Sequence, residues 1–164
     1  MSRFETEAPE ALVTDEEALA VERLLEAMLN GVAIKDVHGV PDEVMNGLYA
    51  HAYEFYRQGR LDDAEVFFRF LCIYDFYNAD YVLGLAAVYQ LKKDYQKALD
   101  VYALAHALAK EDYRAMLYAG QCNMLLKRKG KAKECFNSVL ENSTDVSLQK
   151  RAQLFLEGMF NIGE

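Results

Sequence analysis

An all-α solenoid of three helix pairs is the fold this sequence predicts, and two observations predict it. The first is an internal period. Ala64, Ala98 and Ala132 stand 34 residues apart, and Phe68, Tyr102 and Phe136 follow each of them by four. Twelve residues before each alanine stand Ala52, Ala86 and Gly120, and three residues after those come Phe55, Tyr89 and Asn123. Small residues let two helices approach closely, and the large side chain four positions on fills the gap to the next unit. The second observation is composition: 52% hydrophobic and 27% charged residues, with only 2 prolines and 9 glycines, exclude disordered, collagen-like and turn-dense β chains. At 164 residues the chain is long enough to bury one core without a disulfide or metal.

The period of 34 with this small-aromatic pattern is that of the tetratricopeptide repeat. Residues 1–14 read as an acidic, disordered leader. Residues 15–44 form an N-terminal helical region. Thr14-Asp15-Glu16-Glu17 has the spacing of a capping box, and Val21, Leu24, Leu25, Met28 and Val32 recur at helical period until Gly31 ends the helix. Pro41-Asp42-Glu43 starts another helix, with proline and acids in its first turn. The repeats then run over 45–78, 79–112 and 113–146, and Asn123 departs from the aromatic pattern in the third. Gly59 suits the C-terminal end of the first helix in its pair. After Ser143-Thr144-Asp145, the residues Leu148, Ala152, Phe155, Leu156 and Met159 make a capping helix within 147–164.

Charge is unevenly placed. Residues 1–44 hold 11 acidic and 3 basic side chains, whereas residues 45–164 hold 15 of each. Neither part has the basic footprint of a nucleic-acid binder or of a protein that docks on anionic membrane. Lys127, Arg128, Lys129, Lys131 and Lys133 make the one basic cluster, which reads as a solvated turn between helices. The start MSRFETEAPE has no basic region followed by an apolar one, and charge interrupts every apolar run, so the sequence predicts a cytoplasmic chain.

No catalytic or metal-binding pattern emerges. His38, His51 and His106 are far apart, and Cys72, Cys122 and Cys135 show no ligand spacing and read as small buried side chains. GKAK at 130–133 lacks the earlier glycine and the preceding strand of a phosphate loop. The expectation is a non-enzyme without cofactor.

The informative stretch is YAHAYEFY at 49–56. Leu48, Ala52 and Phe55 are spent on packing within the repeat. Tyr49, Tyr53 and Tyr56 form a second stripe about 100° further round the helix. The first helices of such pairs line the concave surface, so the stripe should face a groove. The equivalent positions are Leu83, Ala87 and Gln90 in repeat two, and Leu117, Gln121 and Met124 in repeat three. Tyrosine, aliphatic, amide and methionine side chains suit an extended apolar peptide. The alternative is that the N-terminal helices fold over the stripe and make it core. The stripe Val21, Leu24, Leu25 and Met28 must itself be buried, either on the first repeat or on a second copy of the chain.

The stretch EVFFRFLCIYDFYNADYVLGLAAVYQLKKDYQKALDVYALAHAL, preceded by IKDVHGVPDEVMNGLYAHAYEFYRQGRLDDA, resembles the class II chaperones of bacterial type III secretion. It is most similar to the branch serving invasion-type systems. The resemblance spans about residues 32–157, and FRFLCIYDFYN is its specific part, because the repeat pattern does not dictate it. It implies a chaperone that holds hydrophobic translocator proteins soluble and apart through a client segment in the concave face, where Tyr49, Tyr53 and Tyr56 stand in the matching motif. It also implies a weak homodimer through the N-terminal helix, and a co-activator role with an AraC-type transcription regulator. A scaffold joining subunits of some other complex is the alternative that the residues leave open.

Overall fold

The computed structural model describes residues 19, 23, 26 and 30–161. Among them are eight helices and no strand. A single turn, α1 (Ile34–Val37), precedes three pairs: α2 (Asp42–Arg57) with α3 (Leu61–Tyr74), α4 (Ala79–Leu91) with α5 (Tyr95–Leu108), and α6 (Arg114–Leu125) with α7 (Lys129–Asn142). Helix α8 (Val146–Asn161) closes the stack.

Side-chain caps set some of the helix starts. Asn78 accepts the Asp80 N–H at 3.1 Å, and the Asp145 carboxylate accepts the N–H groups of Ser147 and Leu148 at 2.8 and 3.2 Å. These side chains satisfy donors that a helix start leaves orphaned. Pro41 takes the N-cap position of α2, ahead of Asp42 and Glu43 in the first turn. Helix α1 has no periodic pattern behind it. It is held instead by Lys35, whose amine meets Asp42 at 2.9 Å and the buried Asp75 at 3.1 Å. His38 also sets its ring edge-on to Tyr74, 5.9 Å between centroids.

The turn inside each pair repeats as faithfully as the helices. Gly59, Lys93 and Lys127 stand 34 residues apart and all adopt positive φ, at 73°, 64° and 59°. Each N–H bonds back to Tyr56, Gln90 or Met124, and the next residue's N–H reaches Phe55, Tyr89 or Asn123. Only the first turn uses glycine. A lysine side chain in the left-handed region costs about 1–2 kcal/mol, against a glycine entropy cost of about 0.5–1 kcal/mol. Lys93→Gly should therefore raise stability by about 0.5 kcal/mol, and Lys127→Gly should add to it because the two sites are independent. A urea midpoint that does not rise in either variant would contradict this account of the turn.

Packing follows the predicted register. Ala52, Ala64, Ala86, Ala98 and Ala132 are all 0% exposed. The aromatic four residues after Ala64, Ala98 and Ala132 reaches forward along the stack. Phe68 presses on Gly84, Tyr102 lies 5.7 Å from Tyr118, and Phe136 stacks parallel on Phe155 of α8. Cys122 is buried, while Cys72 and Cys135 are half-buried rather than fully enclosed. Burial pushes the Cys72 and Cys122 thiols up to about 12, so neither is a nucleophile near neutral pH. Asn123, buried among apolar neighbours, donates to the Ala119 carbonyl at 3.1 Å. Helix α8 places Leu148, Ala152, Leu156 and Met159 in the last core cluster, which Phe155 flanks.

Candidate peptide-binding groove

The first helices of the three pairs line one concave wall, and the second helices supply its floor. Tyr49, Tyr53 and Tyr56 from α2, Leu83, Ala87 and Gln90 from α4, and Gln121 from α6 surround one cavity of about 340 Å³. Phe68 and Tyr102 close it from below. The tyrosines form a chain of rings, with Tyr49–Tyr53 centroids 6.0 Å apart and Tyr53–Tyr56 5.8 Å. Tyr53 is 49% exposed, whereas Tyr49 and Tyr56 are half-buried against the first core cluster, so the stripe is open to solvent at Tyr53. Burial raises the hydroxyl pKa of Tyr49 and Tyr56 above the ordinary phenol value, and both stay neutral hydrogen-bonding groups.

The third repeat enters the groove in a different register from the one predicted. Leu117 is 0% exposed and belongs to the core with Phe136 and Leu148, so it offers no surface to a ligand. Met124 is half-buried against the same cluster. In their place the wall carries Arg114, Tyr118 and Gln121, the equivalents of Asp80, Gly84 and Ala87 at the 34-residue period. The physical reason is the solenoid twist. Each repeat is rotated slightly on the last, so of the stripe that faces the groove in repeat one only Gln121 still lines the cavity in repeat three. The aromatic Tyr118, at the position of Gly84, was the available signal.

Arg114 puts a cation in the wall, but a neutralised one. Its guanidinium meets Asp80 at 2.7 Å and Asp112 at 2.6 Å. The Arg114 hydrogen bond holds the Asp112 carboxyl below the usual carboxylate range. The groove is thus apolar and aromatic with one ion pair, and its described lining residues include no cation cluster for a peptide carboxylate. Among the described residues no group of three or more His, Cys, Asp or Glu side chains could hold a metal, and no helix is long and apolar enough to cross a membrane. The predicted dimerisation residues Val21, Leu24, Leu25 and Met28 lie outside the described residues, as does the leader.

A stack of helix pairs with an open aromatic groove defines a tetratricopeptide repeat protein, and the tetratricopeptide repeat family model matches residues 45–78 and 79–112. The curated relative SicA of Salmonella typhimurium, a chaperone protein, is 56% identical over 143 residues, covering 87% of each chain. The chain belongs to that family, the class II translocator chaperones of type III secretion. Its relatives there are chaperones rather than enzymes. Among solved structures, a type III secretion complex from Aeromonas hydrophila superposes with a TM-score of 0.78, covering 87% of this chain and 99% of that one, at 23% identity. PcrH, solved with the chaperone-binding region of PopD, gives a TM-score of 0.70 at 28% identity, covering 77% of this chain and 98% of that one.

Proposed function

We propose that this chaperone holds a hydrophobic translocator protein of type III secretion by laying an extended client segment in the concave groove. Held there, the client stays soluble and apart from its partner translocator in the bacterial cytoplasm until secretion. The observation that carries this reading is the open tyrosine stripe. Tyr49, Tyr53 and Tyr56 all line the cavity, and Tyr53 is exposed there, although the packing stripe beside them already secures the helix. Side chains of this kind, amphipathic and stiff, dominate binding hot spots. The relative PcrH, with a client region bound, supports it. Co-expression with a hydrophobic type III translocator should leave that translocator soluble and co-purifying. A translocator that stays insoluble with and without the chaperone would overturn the reading.

Two further parts of the proposal concern partners. Co-activation with an AraC-type transcription regulator rests on the likeness to the invasion branch alone, and a reporter responding to the regulator without the chaperone would remove it. Weak homodimerisation rests on the stripe Val21, Leu24, Leu25 and Met28, which exceeds what a solvated leader would carry. Deleting residues 1–30 should yield a folded monomer that still binds client. Light scattering showing full-length protein monomeric at every micromolar concentration would rule out the dimer.

A further inference from the structure

The groove wall changes chemistry at one place. At the 34-residue period Tyr56, Gln90 and Met124 correspond, as do Phe68, Tyr102 and Phe136. Only the middle repeat pairs an amide with a hydroxyl. There the Tyr102 hydroxyl donates to Gln90 Oε1 at 2.7 Å, and Gln90 Nε2 donates to Gln121 Oε1 at 3.2 Å. Tyr102 is 1% exposed and its hydroxyl meets no other acceptor among the described residues, so a reversed Gln90 amide would bury an O–H without a partner. Each amide is thereby oriented by the one behind it. The donation ends at Gln121 Nε2, which donates to no described protein atom and stands half-buried at the cavity wall.

We propose that Tyr102, Gln90 and Gln121 form a polarised relay that presents the Gln121 amide N–H to a main-chain carbonyl of an extended peptide in the groove. This deepens the reading of the groove as the client site and rests on it. Burial against tyrosine, Leu83 and Ala87 is non-directional and cannot by itself hold an extended chain at one register. Binding sites of this kind use a few placed polar groups to fix orientation. A main-chain carbonyl is the acceptor every residue carries, and one buried without a donor would cost affinity. Donor polarity is the point of the relay. Were either amide reversed, an oxygen would face the peptide oxygen.

Fluorescence anisotropy with fluorescein-labelled peptides tiling the chaperone-binding region of PopD tests the relay, with Tyr53→Ala as the groove control. Gln121→Met keeps length and apolar area but removes the donor, and should weaken binding about fivefold. Gln121→Glu presents only acceptors and should weaken it further. Tyr102→Phe should weaken binding about threefold by releasing Gln90. In the Gln121→Met background the same change should cost nothing more, whereas a merely structural role would add its full effect. Wild-type affinity in Gln121→Met and Gln121→Glu, with Tyr53→Ala impaired, would overturn the relay and leave the groove standing. Additive losses in the double variant would also overturn it. Wild-type affinity in all the variants, or no binding by the wild-type chain, would overturn groove and relay together.

Discussion

Replacing Phe136 by alanine is expected to cost about 3–5 kcal/mol of stability, the range for emptying a fully buried aromatic site. Phe136 is 0% exposed and sits between two elements that cannot move in to fill the space. On one side its ring stacks on Phe155 at 5.1 Å with 9° between planes. On the other it faces Gly120, which has no side chain to swing into a void. The loss should spread to α8, because Phe136 and Phe155 tie that helix to the last pair. The same contact predicts a second cost. A methyl group at Gly120 would come within 2.5 Å of the Phe136 ring, and the parallel Phe155 blocks retreat. Gly120→Ala should therefore cost about 1–3 kcal/mol by overpacking. Because the two sites touch, the penalties should not add: Gly120→Ala should be much milder in the Phe136→Ala background. Urea denaturation of the four proteins gives the coupling. Additive penalties would show that ring and glycine are not in contact.

The helix pairs were legible in the sequence because sterics at their crossings leave few choices. Ala52, Ala64, Ala86, Ala98 and Ala132 mark places where backbones nearly touch, and a larger residue at any of them would be expelled. Helix α1 was not legible. Four residues carry no period, and its stability comes from Lys35 reaching Asp75, a partner 40 residues away. The turns at Lys93 and Lys127 concealed their left-handed backbone for a similar reason, since tertiary packing overrides the preference that glycine announces at Gly59. The groove was legible in its first two repeats, where Tyr49, Tyr53, Tyr56, Leu83, Ala87 and Gln90 all line the cavity. In the third, counting by 34 ignores rotation between repeats, which is a property of the stack and not of any one helix. That is why Leu117 is enclosed in the core and Met124 is half-buried against it, while Arg114 and Tyr118 stand at the wall. The pairing of Arg114 with Asp80 likewise joins residues from successive repeats, which no local pattern announces.

Tyr53→Ala is expected to lower affinity for a client segment by about 2 kcal/mol, roughly thirtyfold, while leaving the fold intact. Of the three stripe tyrosines it alone is exposed, at 49%, so truncating it empties no core site. Its ring stands between Tyr49 and Tyr56, at 6.0 and 5.8 Å, and a client residue packed there would touch all three rings. Tyr49 makes a poorer test, because its ring also packs on Phe68 and Tyr81, at 6.1 and 5.4 Å, and its loss would disturb the first core cluster. The comparison is sharpest with Tyr53→Phe. Removing only the hydroxyl should cost little if apolar contact dominates, because the ring supplies most of the buried area. Calorimetric titration with the client segment measures both variants, and circular dichroism with thermal melting monitors the fold. Full affinity in a folded Tyr53→Ala protein would place the client elsewhere on the solenoid. Loss of helicity would instead show that the ring supports the first repeat, and its exposed face would then have no binding role.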